Sequence, residues 1–379
     1  MKKKTFSLAF VLALLALLML VAFARATVGP LQQEIVTTIT LDEEPQCIAV
    51  NEETNQVYVG VKDGLLIIDG ETDTIITEIL PDVEVVALAV NPQTNRIYVA
   101  DYGDNIFVID GATNQQLGII PEGIYNQYAI AVNPTTNLVY IADWTTILGN
   151  YDRILVYSGE TFTEVTHVNI LGSEEHEYIE RIGLAVNPET NLVYATWSGN
   201  NSLCVIDGST HEITENVSPS SFSREITVNT YTNYIYIGDV VLDCDTLVEV
   251  FSDYEGDLGA VDSVNNLVYS IGYYELFVLN GTTHGIVTSL ELDWYFSSYS
   301  DCVGVNGETD KVYLVDSSEN QIPVVLIPEF HTLIATMLVL SVLAVAFVIY
   351  TRTVSEEPIN KQSSTVLREL NTRLSFLPK

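Results

Sequence analysis

One residue pattern governs what this chain can fold into: an asparagine, a second asparagine four residues on, and a tyrosine three beyond that. Anchored on Asn51, Asn91, Asn133, Asn187, Asn229, Asp262 and Asn306, it occurs seven times, at spacings of 40, 42, 54, 42, 33 and 44 residues. The tyrosine is present in every copy (Tyr58, Tyr98, Tyr140, Tyr194, Tyr236, Tyr269, Tyr313), always after a valine or isoleucine. The second position holds Asn55, Asn95, Asn137, Asn191, Asn233 and Asn266, with Asp310 in the last copy. A period near 40 residues is read before any local assignment, because one repeat cannot bury its apolar face without its neighbours.

The copy around Asn91 to Thr113 (NPQTNRIYVADYGDNIFVIDGAT) shows the internal layout. Val, Ile and Tyr-rich runs at 85–90, 97–101, 105–109 and 115–120 are separated by Asn-Pro, Gly-Asp and Asp-Gly turns, which predicts four short strands. Four strands in about 40 residues match a propeller blade better than a solenoid coil. The chain is therefore expected to be all-β, a seven-bladed β-propeller. Its last copy offers strands near 302–305, 312–315 and 322–327 and no fourth. The stretch Glu34–Leu41 (EIVTTITL) resembles the outer strand of the first copy, Thr74–Leu80. Pairing this N-terminal strand with the last blade closes the ring and removes the open edges.

The repeats NPQTNRIYVADYGDNIFVIDGAT, NPTTNLVYIADW and NPETNLVYATWSGNNSLCVIDGST resemble the YVTN-type β-propeller repeats of archaeal and bacterial surface proteins. The resemblance covers residues 34–327. It implies a cell-surface role in adhesion or in an envelope layer. Related propellers also carry enzymes, so the fold alone does not fix the function.

The flanks agree with export. Lys2–Lys4, an uncharged run from Thr5 to Ala24 and the Ala24-Arg25-Ala26 triplet read as a signal peptide (1–26) cleaved after Ala26. The alternative is an uncleaved anchor, since 20 uncharged residues can span a bilayer. Residues 27–327 form the ectodomain. Within 328–351, the uncharged run Thr332–Thr351 predicts one C-terminal transmembrane helix. The tail 352–379 carries five basic and three acidic residues, which places it in the cytoplasm and the propeller outside. Pro328-Glu329-Phe330 before the span resembles PEF-type C-terminal sorting signals of archaeal surface proteins. The 27 residues after Arg352 depart from that pattern and favour a retained anchor.

Residues 27–331 hold six basic residues against 47 acidic ones, a net charge of −41. Such a body repels phosphate, so nucleic acid is excluded as a partner class. The bland reading is a solvated acidic surface; the sharper one is divalent-ion binding, calcium first, with no ligand set named. Partners are expected to be the membrane through the C-terminal helix, and other surface proteins or glycans.

The repeated tyrosines read as packing between blades, and Asn-Pro and Asp-Gly as turn chemistry. Departures from the repeat are Trp144–Asp152, Gly172–Glu180 (which includes SEEHEYIE around His176) and the aromatic-acidic stretch Glu291–Asp301. Cys47 and Cys302 each stand four residues before the repeat anchor, in the first and seventh copies. Closure makes those copies neighbours, so a disulfide across the seam is expected. Cys204 and Cys244, in adjacent copies, form a second, less regular candidate pair. Asn200, Asn216 and Asn280 open N-x-S/T sequons and are candidate glycosylation acceptors. The histidines His167, His176, His211, His284 and His331 are scattered, and no nucleophile elbow or zinc spacing occurs, so no catalytic site is expected. The competing reading is an exported propeller enzyme, a lyase or hydrolase with a metal in the central channel.

Overall fold

A computed structural model describes residues 34–327, apart from 104, 121–128, 146–150, 171–181, 198–201, 221, 222, 224, 253–255 and 295–302. Ala26, His331, and the expected leader, span and tail lie outside the described residues, as do His176, Asn200 and Cys302. Among the described residues no helix is long and apolar enough to cross a membrane.

Seven four-stranded antiparallel sheets follow one another along the chain. In the first, strands a to d run Pro45–Asn51, Gln56–Val61, Gly64–Asp69 and Thr74–Ile79. The a strands of consecutive sheets are neighbours around the ring, and that of the seventh meets that of the first. The result is a closed seven-bladed propeller with the a strands innermost. Burial follows: the b strand Gln56–Val61 is buried along nearly its whole length, while the outer strand Thr74–Ile79 is mostly exposed.

The seventh blade is assembled from both ends of the described chain. Val303–Asn306, Lys311–Leu314 and Gln321–Leu326 supply strands a to c, and Glu34–Thr40 supplies d. That strand pairs from Glu34 with Leu326 to Thr40 with Gln321. An edge strand with no hydrogen-bonding partner would be an adhesive liability; here the N-terminal segment covers it.

The core is a set of wedges between blades. Tyr58 packs against Val85, Ile97 and Val99 of the second blade, and Tyr98 against Val139, Ile141 and Leu155 of the third. Tyr194 meets Val228, Ile235 and Ile237, and Tyr313 crosses the seam to Val57, Val59 and Ile68. All seven repeat tyrosines are among the most buried side chains. Two of their hydroxyls bond to the next blade: that of Tyr236 donates to the Gly281 carbonyl at 3.0 Å, that of Tyr313 to Asp73 Oδ1 at 3.2 Å. Burial pushes the hydroxyls of Tyr98 and Tyr140 up to about 12, so they stay protonated.

Two expectations need correction. Cys204 lies in the wedge between blades three and four, Cys244 in that between four and five. They face opposite sides of the fourth sheet, and both are buried free thiols, so this pair is not bridged. Burial raises both thiols, Cys244 to about 11. The Trp144–Asp152 departure is also not simply an added loop. Leu138–Thr145 and Tyr151–Ser158 are eight-residue strands, paired out to Thr145 with Tyr151, so most of the extra length prolongs a hairpin.

Candidate functional site: the two faces of the ring

Up-and-down strands give the ring two unlike faces. The turns joining a to b and c to d lie on one; the b–c turns and blade-to-blade connections lie on the other. On the first face, all seven a–b turns place a residue of positive φ four positions after the anchor (Asn55, Asn95, Asn137, Asn191, Asn233, Asn266, Asp310). All six c–d turns do the same four positions after their opening residue (Asp73, Asn114, Phe162, His211, Leu247, His284). Asparagine tolerates this left-handed conformation better than most residues, which accounts for the second repeat position. On the opposite face, b–c turns run from two to six residues and blade-to-blade connections from four to twelve.

The anchor asparagines do two jobs at once. Each is almost fully buried. The side-chain oxygen of Asn91 accepts from the amides of Gln93 and Thr94, fixing its own turn. The side-chain nitrogen of Asn91 donates 3.0 Å to Oδ1 of Asn137 in the next blade. Asn51 to Asn95, Asn133 to Asn191, Asn187 to Asn233 and Asn229 to Asn266 repeat the bond at 2.7–3.3 Å. Asn306 to Asn55, at 2.8 Å, carries it across the seam. We call this ring of bonds the belt. Reading these residues as turn formers alone missed the inter-blade role. The signal was available: a turn accepts Asp, Ser or Asn at its first position, whereas six of seven anchors are asparagine, which accepts through its oxygen and donates through a separate nitrogen.

The exception is instructive. Asp262 has no amide to give, and its counterpart in the seventh blade is Asp310. Between them stands Asn265, where every other copy has threonine. Its Nδ2 lies 2.9 Å from Asp262 Oδ2, 3.2 Å from Asp310 Oδ1 and 2.8 Å from the Gly307 carbonyl. Three departures from the repeat therefore form one replacement junction. Glu52 of the first blade lies beside it, accepting from the Gly307 amide at 2.8 Å. Burial, with a smaller contribution from Asp262, holds the Glu52 carboxyl above its ordinary range. The hydroxyl of Tyr269 is raised well above its usual value by burial and by these carboxylates.

The scarce cations are largely committed to structure. Lys311 reaches from blade seven to Asp73 (2.8 Å) and the Gly70 carbonyl (2.7 Å) of blade one. Arg96 binds the Gly159 carbonyl and Glu160 of blade three and lies over the Phe162 ring. Arg153 pairs with the buried Asp143 at 2.6 Å.

The remaining sequence-predicted residues do not converge. His167 is on an outer strand beside Glu164 at 3.1 Å, and His211 sits in a c–d turn. His284 is wedged among Tyr234, Tyr236 and Phe251, where burial lowers its pKa. Asn216 is exposed on an outer strand. Asn280 opens a c–d turn and its oxygen accepts from the amides of Thr282 and Thr283, so this sequon arises where asparagine replaces the usual Asp. Cys47 is buried in the wedge between the first two blades. Of the aromatic-acidic stretch, Leu292 and Trp294 are buried. Among the described residues, no group of three or more His, Cys, Asp or Glu is arranged to hold a metal ion.

No known family profile and no curated protein matches the chain in sequence. Numerous solved structures share its architecture. One is Kuenenia stuttgartiensis hydrazine synthase, with a TM-score of 0.60 and 16% identity, covering 76% of this chain and 97% of that one. At that identity the likeness speaks for the propeller fold alone.

Proposed function

We propose that this protein is a membrane-anchored cell-surface propeller of the YVTN-repeat kind that binds partners through its variable face. The observation that carries the reading is the contrast between the faces. All thirteen turns on the belt face place their positive-φ residue at one offset and span four or five residues, whereas the connections on the other side run from two to twelve. Loops mounted on a rigid scaffold are where binding residues concentrate. The leader-like run, the second uncharged run and the basic tail supply the cellular address, and the excess of carboxylates suits an exposed surface in a salt-rich medium. Calcium enters as a counter-ion to this acidity. Unfolding with and without millimolar calcium at fixed ionic strength tests that part: a shift that sodium cannot match means specific sites.

The reading is tested by expressing the full chain in cells, floating the membranes, and adding protease outside intact cells. A membrane-bound propeller cut from outside, with a protected C-terminal tail, is expected. A soluble chain, or a propeller reached only after lysis, contradicts it.

A further inference from the structure

The closed ring also decides which face an anchor holds against the bilayer. The c strand of the last blade, Gln321–Leu326, runs toward the a–b turn: Leu326 pairs with Lys311, and the Ile327 amide donates to the Asp310 carbonyl at 2.8 Å. The described chain therefore leaves the ring on the belt face. It also begins there, because Glu34 is the pairing partner of Leu326. From Ile327 to the uncharged run there are only four residues, Pro328–His331, so Thr332 lies at most about 18 Å from Ile327 when the segment is fully extended. Nine residues separate Ala24 from Glu34, about 30 Å at full extension. The C-terminal junction is shorter than the ring is deep, so that run holds the belt face proximal, and the N-terminal segment leaves from the same face.

We propose that the belt face of the propeller faces the bilayer and the variable-loop face points away from the cell. The inference rests on the anchored reading given above. It turns a ring with two candidate faces into one with a single face open to partners. Strands of six or seven residues make the ring about 20 Å deep, so residues on the two faces sit at clearly different heights. The proximal face is acidic: Glu53, Glu71, Glu189, Asp245 and Glu308 are exposed on its turns, while Arg96 and Lys311 are already paired. Against anionic headgroups this face is repelled at low salt and settles closer as screening shortens, from about 10 Å at 0.1 M to about 3 Å at 1 M. The short C-terminal junction bounds that movement.

The test uses the full chain in liposomes that carry an acceptor dye on their headgroups. A small fluorescent residue is placed at position 189 or 308 on the belt face, or at 102 or 273 on the loop face; Tyr102 and Tyr273 are 67% and 74% exposed. Energy transfer at 189 and 308 is expected to exceed that at 102 and 273 several-fold, and to rise with salt. Equal transfer at the four positions, or the reverse order, in protein that floats with the liposomes overturns the orientation and leaves the anchor standing. Protein that fails to float removes the anchored reading and the orientation with it.

Discussion

The belt face and the loop face are made by the same strands, and they have been treated oppositely. Across the belt face, every a–b turn has four residues, every turn places its positive-φ residue at the same offset, and six of seven anchors are asparagine. Across the loop face, the b–c turns and the blade-to-blade connections each differ three-fold in length, and no position is held by one residue at a fixed offset in every blade. Each belt turn must meet its neighbour's turn within hydrogen-bond distance, so a single inserted residue breaks two junctions. A loop-face connection answers only to its own ends. The sixth junction shows how strict the first rule is: where Asp262 and Asp310 stand in place of the amides, Asn265 supplies the donor.

The contrast breaks most severely if closure is removed. Deleting Glu34–Thr40 strips the outer strand from the last blade and exposes the edge Gln321–Leu326. The expected outcome is loss of the cooperative transition in a circular-dichroism melt and aggregation on sizing, whereas shortening a loop-face connection leaves a folded monomer. Next comes Tyr98→Ala, which empties the wedge between blades two and three and is expected to cost about 3–5 kcal/mol in urea unfolding. A smaller effect sharpens the belt itself. Asn265→Thr leaves Asp262 and Asp310 without their shared donor and is expected to cost about 1–3 kcal/mol. Adding Asp262→Asn and Asp310→Asn restores the common junction and recovers most of it. If the triple variant is no better than the single, the three residues are not one unit.

Acidity supplies a finer test. Because burial raises the Glu52 carboxyl, the protonated form is favoured in the folded ring. Its contribution is fully present below the unfolded value and is lost as pH rises through the folded one. Glu52→Gln keeps an acceptor for the Gly307 amide and is expected to be more stable than the parent at pH 7, with the gap closing near pH 4. Asp69, Asp207 and Asp243 run the other way. Turn amides, led by those of Thr72, Ser209 and Thr246, lower their carboxyls, and that contribution disappears as pH falls through the folded values. Both proteins share these aspartates, so their stability curves converge toward low pH only if Glu52 behaves as described. Smallest of all, Tyr273→Ala on the loop face is expected to change unfolding by no more than about 0.5 kcal/mol, a value that separates binding residues from framework.

Much of the ring was legible because the repeat is so regular. The strands expected at 85–90, 97–101, 105–109 and 115–120 are found at Val85–Asn91, Arg96–Asp101, Ile106–Asp110 and Gln115–Ile120. The borrowed N-terminal strand could be read from the fourth strand that the last copy lacks. What stayed hidden was side-chain direction. Cys204 and Cys244 are four positions apart in the repeat frame, an even offset, so each faces the blade before its own and the two lie in different wedges. The cross-blade bonds of the asparagines were hidden for a related reason. A residue that serves a local turn and a distant neighbour leaves the same letter in the sequence as one that serves only the turn. The loop face was least legible of all, since connections that differ in every blade offer no period to align.

The central claim is that one belt of bonds closes the ring at the seam as firmly as at any other junction. Amide hydrogen exchange on the ectodomain tests it directly. The account predicts that Glu34–Thr40 and Val303–Asp310 exchange in the same slow, cooperative class as Val85–Asn95 in the interior of the ring. Seam segments that exchange well ahead of the second blade would contradict it, and would make the protein an open array whose ends only touch.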